Sequence, residues 1–151
     1  MKLAEALQER ADLNRKIEQL QDRLSNNVLV QEGEQTAEDP EKLKDELDSA
    51  ILQLAALIAQ INQTNCTTIV EGRTLTALIA RKDALSLKIR LYKEIASTAS
   101  QTTYRARNTE IKIKSTISVA DWQAEIDQMS KELRLLDNQL QQSNWNTDLI
   151  E

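Results

Sequence analysis

The 151-residue chain contains no histidine and no phenylalanine, one cysteine, one proline and two glycines, and aromatic side chains make up only 3% of it. Each shortage removes a class of structure or chemistry. Without histidine there is no Ser-His or Cys-His nucleophile pair and no imidazole ligand for a metal. A lone Cys66 excludes an intrachain disulfide and a cysteine-built zinc site. With no imidazole to take its proton, it reads as an inert thiol. Neither a GxGxxG loop, a Walker loop nor a nucleophile elbow is present, and two glycines could not build most of them. So few turn-formers cannot punctuate an all-β fold, and a core without phenylalanine must be aliphatic. No run approaches the roughly 18 consecutive apolar residues of a membrane span. The opening Met1-Lys2-Leu3-Ala4-Glu5-Ala6 lacks the apolar stretch of a secretion signal. The composition therefore points to a cytoplasmic protein that is not an enzyme, with no catalytic residue, cofactor or metal.

What is present is heptad patterning. Leu3, Ala6, Arg10, Leu13, Ile17, Leu20 and Leu24 recur every three or four residues, which places them on one helix face. Asp39-Pro40-Glu41 supplies an N-cap with Pro in the first turn, and Leu43, Leu47, Ala50, Ile51, Leu54, Leu57, Ile58 and Ile61 follow it. Between Ala50 and Ile61 only Gln53 and Gln60 are polar, which makes this stretch the candidate centre of the bundle or of an oligomer interface. A third stripe runs through Leu75, Leu78, Lys82, Leu85, Ile89, Tyr92, Ala96 and Ala99. The fourth, opened by the capping box Ser118-Val119-Ala120-Asp121, holds Trp122, Ile126, Met129, Leu133, Leu136 and Leu140. Arg10 and Lys82 interrupt the stripes and are expected near helix ends or with their charges reaching solvent.

These patterns predict a mainly all-α fold, a single helical domain over 1–151. Four long heptad-patterned helices, at about 2–24, 40–63, 74–100 and 119–143, would form an antiparallel bundle. The connections exceed the usual loop length, and their alternating, β-branched segments near 28–30, 67–70 and 110–117 predict a small β element. Val28–Val30 is expected to pair with the strand around Ile111.

Charge divides the chain into blocks within a net −5. Residues 25–72 sum to −7 and residues 73–117 to +7, which suggests complementary surfaces within one chain or between subunits. Arg105, Arg107, Lys112 and Lys114, near Tyr104, form the best anion-binding candidate, although a chain of net negative charge is a poor general nucleic-acid binder. Glu32, Glu34, Glu38, Asp39 and Glu41 match no calcium-loop spacing and read as a solvated linker. Leu54, Leu57, Ile58, Ile61 and Trp145 are the candidate interface residues, Trp145 expected beyond the last helix in Asn144-Trp145-Asn146.

One further pattern is the order of landmarks. The Lys2-Leu3-Ala4-Glu5-Ala6-Leu7 helix is followed by Val30-Gln31-Glu32-Gly33-Glu34 and Ala37-Glu38-Asp39-Pro40. Then come Ile61-Asn62-Gln63-Thr64-Asn65, Gly72-Arg73-Thr74-Leu75, Arg81-Lys82-Asp83, Glu110-Ile111-Lys112 and Asn144-Trp145. Over essentially the whole chain this order resembles a small bacterial helical family of unknown function, some of whose members are labelled septicolysin. The resemblance implies no catalytic residues; the label would imply a pore-forming cytolysin. Three expectations follow: a non-enzymatic, self-associating scaffold or protein-interaction module, a membrane-active protein, or an anion or nucleic-acid binder acting through residues 105–114.

Overall fold

A computed structural model describes residues 1–102 and 111–151. In chain order they form α1 (Leu3–Ser25), α2 (Pro40–Thr67), β1 (Ile69–Val70), β2 (Arg73–Thr74), α3 (Leu75–Ala99) and α4 (Val119–Asn146). The all-α class with a minor β element is the one the periodicity predicts. The chain divides into two compact units, Met1–Thr74 with Gln142–Glu151, and Leu75–Gln141.

In the first unit α1 and α2 form an antiparallel hairpin. Leu20 of α1 packs in a buried cluster with Leu43 and Ala50 of α2, flanked by Ile17, Leu24 and Leu47. Each such side chain contributes about 1.5–3 kcal/mol by leaving water. As expected, α2 starts at a cap: the Asp39 carboxylate accepts from the Glu41 amide at 3.0 Å, with Pro40 first in the helix. The connection before it is closed by Asn27, which is buried. Its Nδ2 donates to the Arg23 carbonyl at 2.7 Å and its Oδ1 accepts from the Glu38 amide at 2.9 Å. The Arg23 guanidinium meets the Glu38 carboxylate at 2.5 Å beside it.

The strand expected at Val28–Val30 does not form. Asn27 draws the two ends of the loop together, and the chain between them turns back where the Glu34 amide bonds the Gln31 carbonyl. Val28, Leu29 and Val30 are left exposed. The described residues 111–117 form no strand, although Lys112 takes part in an isolated bridge, and Glu110 lies outside the described residues. There the Ser115 hydroxyl bonds the Ile117 backbone, a local turn that leads the chain into the helix start. Ser118 then caps α4 by accepting from the Asp121 amide at 3.3 Å. Only the expectation at 67–70 yields a strand, Ile69–Val70. It pairs antiparallel with Arg73–Thr74, in the register Ile69 with Thr74 and Val70 with Arg73. Both turn residues, Glu71 (φ 49°) and Gly72 (φ 81°), lie in the left-handed region, as a type I′ hairpin requires.

The end of the first unit is a polar clasp that the sequence pattern did not reveal. After α4 the chain lies along Met1–Leu3: the Leu3 amide bonds Thr147 O at 2.9 Å, the Leu149 amide bonds Met1 O at 2.9 Å, and Lys2 pairs with Asp148 at 2.8 Å. Thr64, fully buried, donates its hydroxyl to the Gln60 carbonyl at 2.8 Å and accepts the Ile150 amide at 3.0 Å. Thr64 and Thr67 both bond carbonyls four residues back, and α2 continues through Asn62–Thr67 instead of ending at 63. Thr64→Val keeps the side-chain shape but strands the Ile150 amide, so it is expected to cost about 1–3 kcal/mol. A lower urea midpoint at unchanged slope would register the loss.

In the second unit α3 and α4 form another antiparallel hairpin. Ile89, Ala96, Ile126 and Met129 are its buried cluster, with Leu85, Tyr92 and Leu133 against it. Tyr92 and Trp122 stack in a tilted pair with ring centroids 4.8 Å apart.

Candidate protein-interaction site

Two positions that looked anomalous or charged in the sequence find their partners inside the second unit. Lys82, on the apolar stripe of α3, carries its ammonium to Asp137 of α4 at 2.6 Å, and Arg81 reaches Glu132 at 2.6 Å. Both of these ion pairs join basic residues of α3 to acidic residues of α4. Hydrogen bonds to cations hold three carboxylates below their ordinary range: Glu38 by Arg23, Asp137 by Lys82 and Asp148 by Lys2. In the folded chain these groups hold their protons less tightly than in the unfolded one. Their stabilisation is therefore complete above the unfolded values, 4.5 for Glu and 3.8 for Asp, and is lost as pH falls through the lower folded values. Urea stability is expected to be flat from pH 7 to about 5 and to decline in more acid solution. The triple variant Glu38→Gln/Asp137→Asn/Asp148→Asn should show a shallower decline.

The candidate interface residues separate into two groups. Leu57 and Ile61 are buried within the first unit and Leu54 is half-buried, so these three hold the hairpin together. Ile58 and Trp145 are exposed, and Trp145 lies within α4, which runs on to Asn146 instead of ending at 143. The outward face of α2 also presents Ile51 and Leu52, the latter 73% exposed, two residues the interface assignment from sequence omitted. Leu52, Ala55 and Ala59 lie on the side of α2 opposite to Ala50, Leu57 and Ile61, with Ile51 and Ile58 on its shoulder. No charged residue occurs between Asp48 and Glu71. This solvent-facing stretch therefore lacks the Lys, Arg and Glu that normally cover an exposed helix face.

Of the candidate anion site, Lys112 and Lys114 are exposed, and Arg105 and Arg107 lie outside the described residues. Lys114 lines a cleft of about 520 Å³ with Ile95, Ala99, Ile113 and Ile117, but Glu94 shares the same wall. Among the described residues no three carboxylate or thiol side chains gather as a metal site would require, and no helix is long and apolar enough to cross a membrane.

The described residues thus define an all-α protein of two antiparallel helical hairpins, one of which bears an uncharged apolar helix face. The chain belongs to DUF6847, a family of unknown function, which it matches over residues 10–149. It is also similar to a functionally unknown conserved protein from Corynebacterium diphtheriae whose crystal structure is solved. The two are 35% identical, the match covers 99% of each chain, and the TM-score is 0.92. No match is found among curated proteins. The expected membership of a family of unknown function with a bacterial relative holds, and neither match carries the septicolysin label.

Proposed function

We propose that the protein is a non-enzymatic, self-associating helical scaffold in which a second copy of the chain covers the outward face of α2. The observation that carries this reading is the coincidence of exposed Ile51, Leu52 and Ile58 with a stretch that has no charge between Asp48 and Glu71. Exposed apolar side chains scattered singly are ordinary, whereas a contiguous uncharged patch on a helix marks a contact surface. A second copy suits this patch better than a charged partner does. Two copies of an uncharged face meet without like-charge repulsion, and an acidic or basic partner would find nothing there to pair with. Ala55 and Ala59 in the middle of the face let two helix backbones approach closely. A two-fold arrangement, the commonest among soluble oligomers, brings the same patch from both copies together.

Sedimentation equilibrium over a wide dilution series tests the reading. A mass of at least twice the single chain at micromolar concentration, dissociating on dilution, is expected. A single-chain mass throughout would remove the proposal.

A further inference from the structure

The second unit carries an exposed apolar face of its own, whose Ile95 end also lines the cleft with Ile113 and Ile117. On α3, Ala80, Ala84, Leu87, Leu91 and Ile95 follow at spacings of three and four residues, on the side opposite to the buried Leu78, Ile89 and Ala96. Leu87, Leu91 and Ile95 remain 47%, 42% and 45% exposed. This helix therefore has two apolar stripes, and only one of them packs on α4.

Resting on the reading of the chain as self-associating, we propose that this second stripe pairs with the same stripe of another copy, the two α3 helices running antiparallel about a two-fold axis beside Leu87. Side-chain size and charge both select that occupant and that direction. Small residues fill the N-terminal half of the stripe and large ones the C-terminal half. Antiparallel pairing centred near Leu87 sets Leu91 opposite the partner's Ala84 and Ile95 opposite the partner's Ala80, so that large meets small in each layer. Parallel pairing would stack leucine on leucine and leave alanine facing alanine across a gap. Asp83 and Arg90 border the same edge of the stripe and are both exposed. The antiparallel arrangement brings the same edge of both helices together and places Asp83 beside the partner's Arg90, and does so twice. Among the described residues Arg90 makes a 3.5 Å contact with Glu94. At the other edge Lys88 lies over the ring of its own Tyr92, 5.3 Å from the centroid.

The test removes the α2 contact with Leu52→Glu and the native thiol with Cys66→Ser, which leaves α3 pairing as the remaining contact. Circular dichroism verifies that each variant keeps its helices. This double variant is expected to sediment at twice the single-chain mass at high micromolar concentration. In its background, Leu87→Cys should oxidise to a linked dimer. Ala84→Cys alone should not, because its two copies would be about 10 Å apart along the helix axes, beyond disulfide reach. Mixing Ala84→Cys with Leu91→Cys should give the mixed dimer. Asp83→Arg should weaken association at least about tenfold, and Asp83→Arg/Arg90→Asp should restore it.

A single-chain mass for the Leu52→Glu/Cys66→Ser protein while the wild type associates would overturn α3 pairing and leave the α2 reading standing. Ala84→Cys linking as fast as Leu87→Cys would overturn the antiparallel direction and with it the proposal. A wild-type mass unchanged by Leu52→Glu, together with linkage through Leu87→Cys, would support α3 pairing and reject the α2 reading.

Discussion

Leu52→Glu is expected to weaken association through α2 by more than a hundredfold while leaving the isolated chain as stable as the wild type. Leu52 is 73% exposed, so in a single chain the substitution exchanges one solvated side chain for another of similar helix propensity. A surface change of that kind stays within about 0.5 kcal/mol of neutral. In the proposed contact the same position is dry, and a two-fold axis brings two copies of it together. Each assembly then loses two buried leucines and must desolvate two unpaired carboxylates, at a cost of about 3 kcal/mol or more. Because 1.4 kcal/mol is a factor of ten in Kd, the loss exceeds a hundredfold. Leu52→Ala, which removes the apolar contact without adding charge, should show a smaller effect of the same sign. Sedimentation reads the association and urea denaturation reads the chain; a fall in both together would point to a folding defect instead.

The second large effect is expected inside the α3–α4 hairpin. Ile126 is 1% exposed and sits in the cluster with Ile89, Ala96 and Met129. Ile126→Ala leaves a cavity among neighbours fixed on two helices, and a loss of about 2–5 kcal/mol is expected. Trp122 lies one turn before it and stacks on Tyr92, so its fluorescence reports this hairpin directly. Trp145→Phe makes Trp122 the sole tryptophan and gives a clean signal. On the same helix Leu135 is 56% exposed, and Leu135→Ala should shift the midpoint by no more than about 0.5 kcal/mol. The contrast between these two positions checks which stripe of α4 is buried.

Helix positions were legible because periodicity and caps are local. Asp39-Pro40 opens α2 and Ser118 opens α4 at the expected residues, and the stripes through Leu20 and Ile126 are buried as their spacing implies. The connections were less legible. Val28–Val30 has strand composition, yet Asn27, whose side chain bonds both ends of the loop, decides its course. The partner strand Arg73–Thr74 is two residues long and polar, too short to carry a pattern. Thr64 gave no signal, since a buried threonine matched to the Ile150 amide looks in sequence like any helical threonine.

The proposed contact face was half legible. A stretch apolar on nearly every side marks α2 as a helix with more than one apolar face, but it cannot say which residues face α1. Leu57 and Ile61 turned inward, Ile58 outward, and Leu52 proved the most exposed large apolar residue of the helix. On α3 the stripe ending in Ile95 went unremarked because the stronger heptad through Ile89 occupies the same helix.

The most direct measurement uses a soluble paramagnetic agent on protein with labelled isoleucine methyl groups. In the single chain Ile51 is 48% exposed, Ile58 is 37% and Ile61 is 1%. If a second copy covers α2, the methyls of Ile51 and Ile58 will be shielded almost as well as those of Ile61 at high concentration, and will become accessible on dilution or in Leu52→Glu. Strong relaxation of Ile51 and Ile58 at every concentration, equal in wild type and variant, would contradict the account.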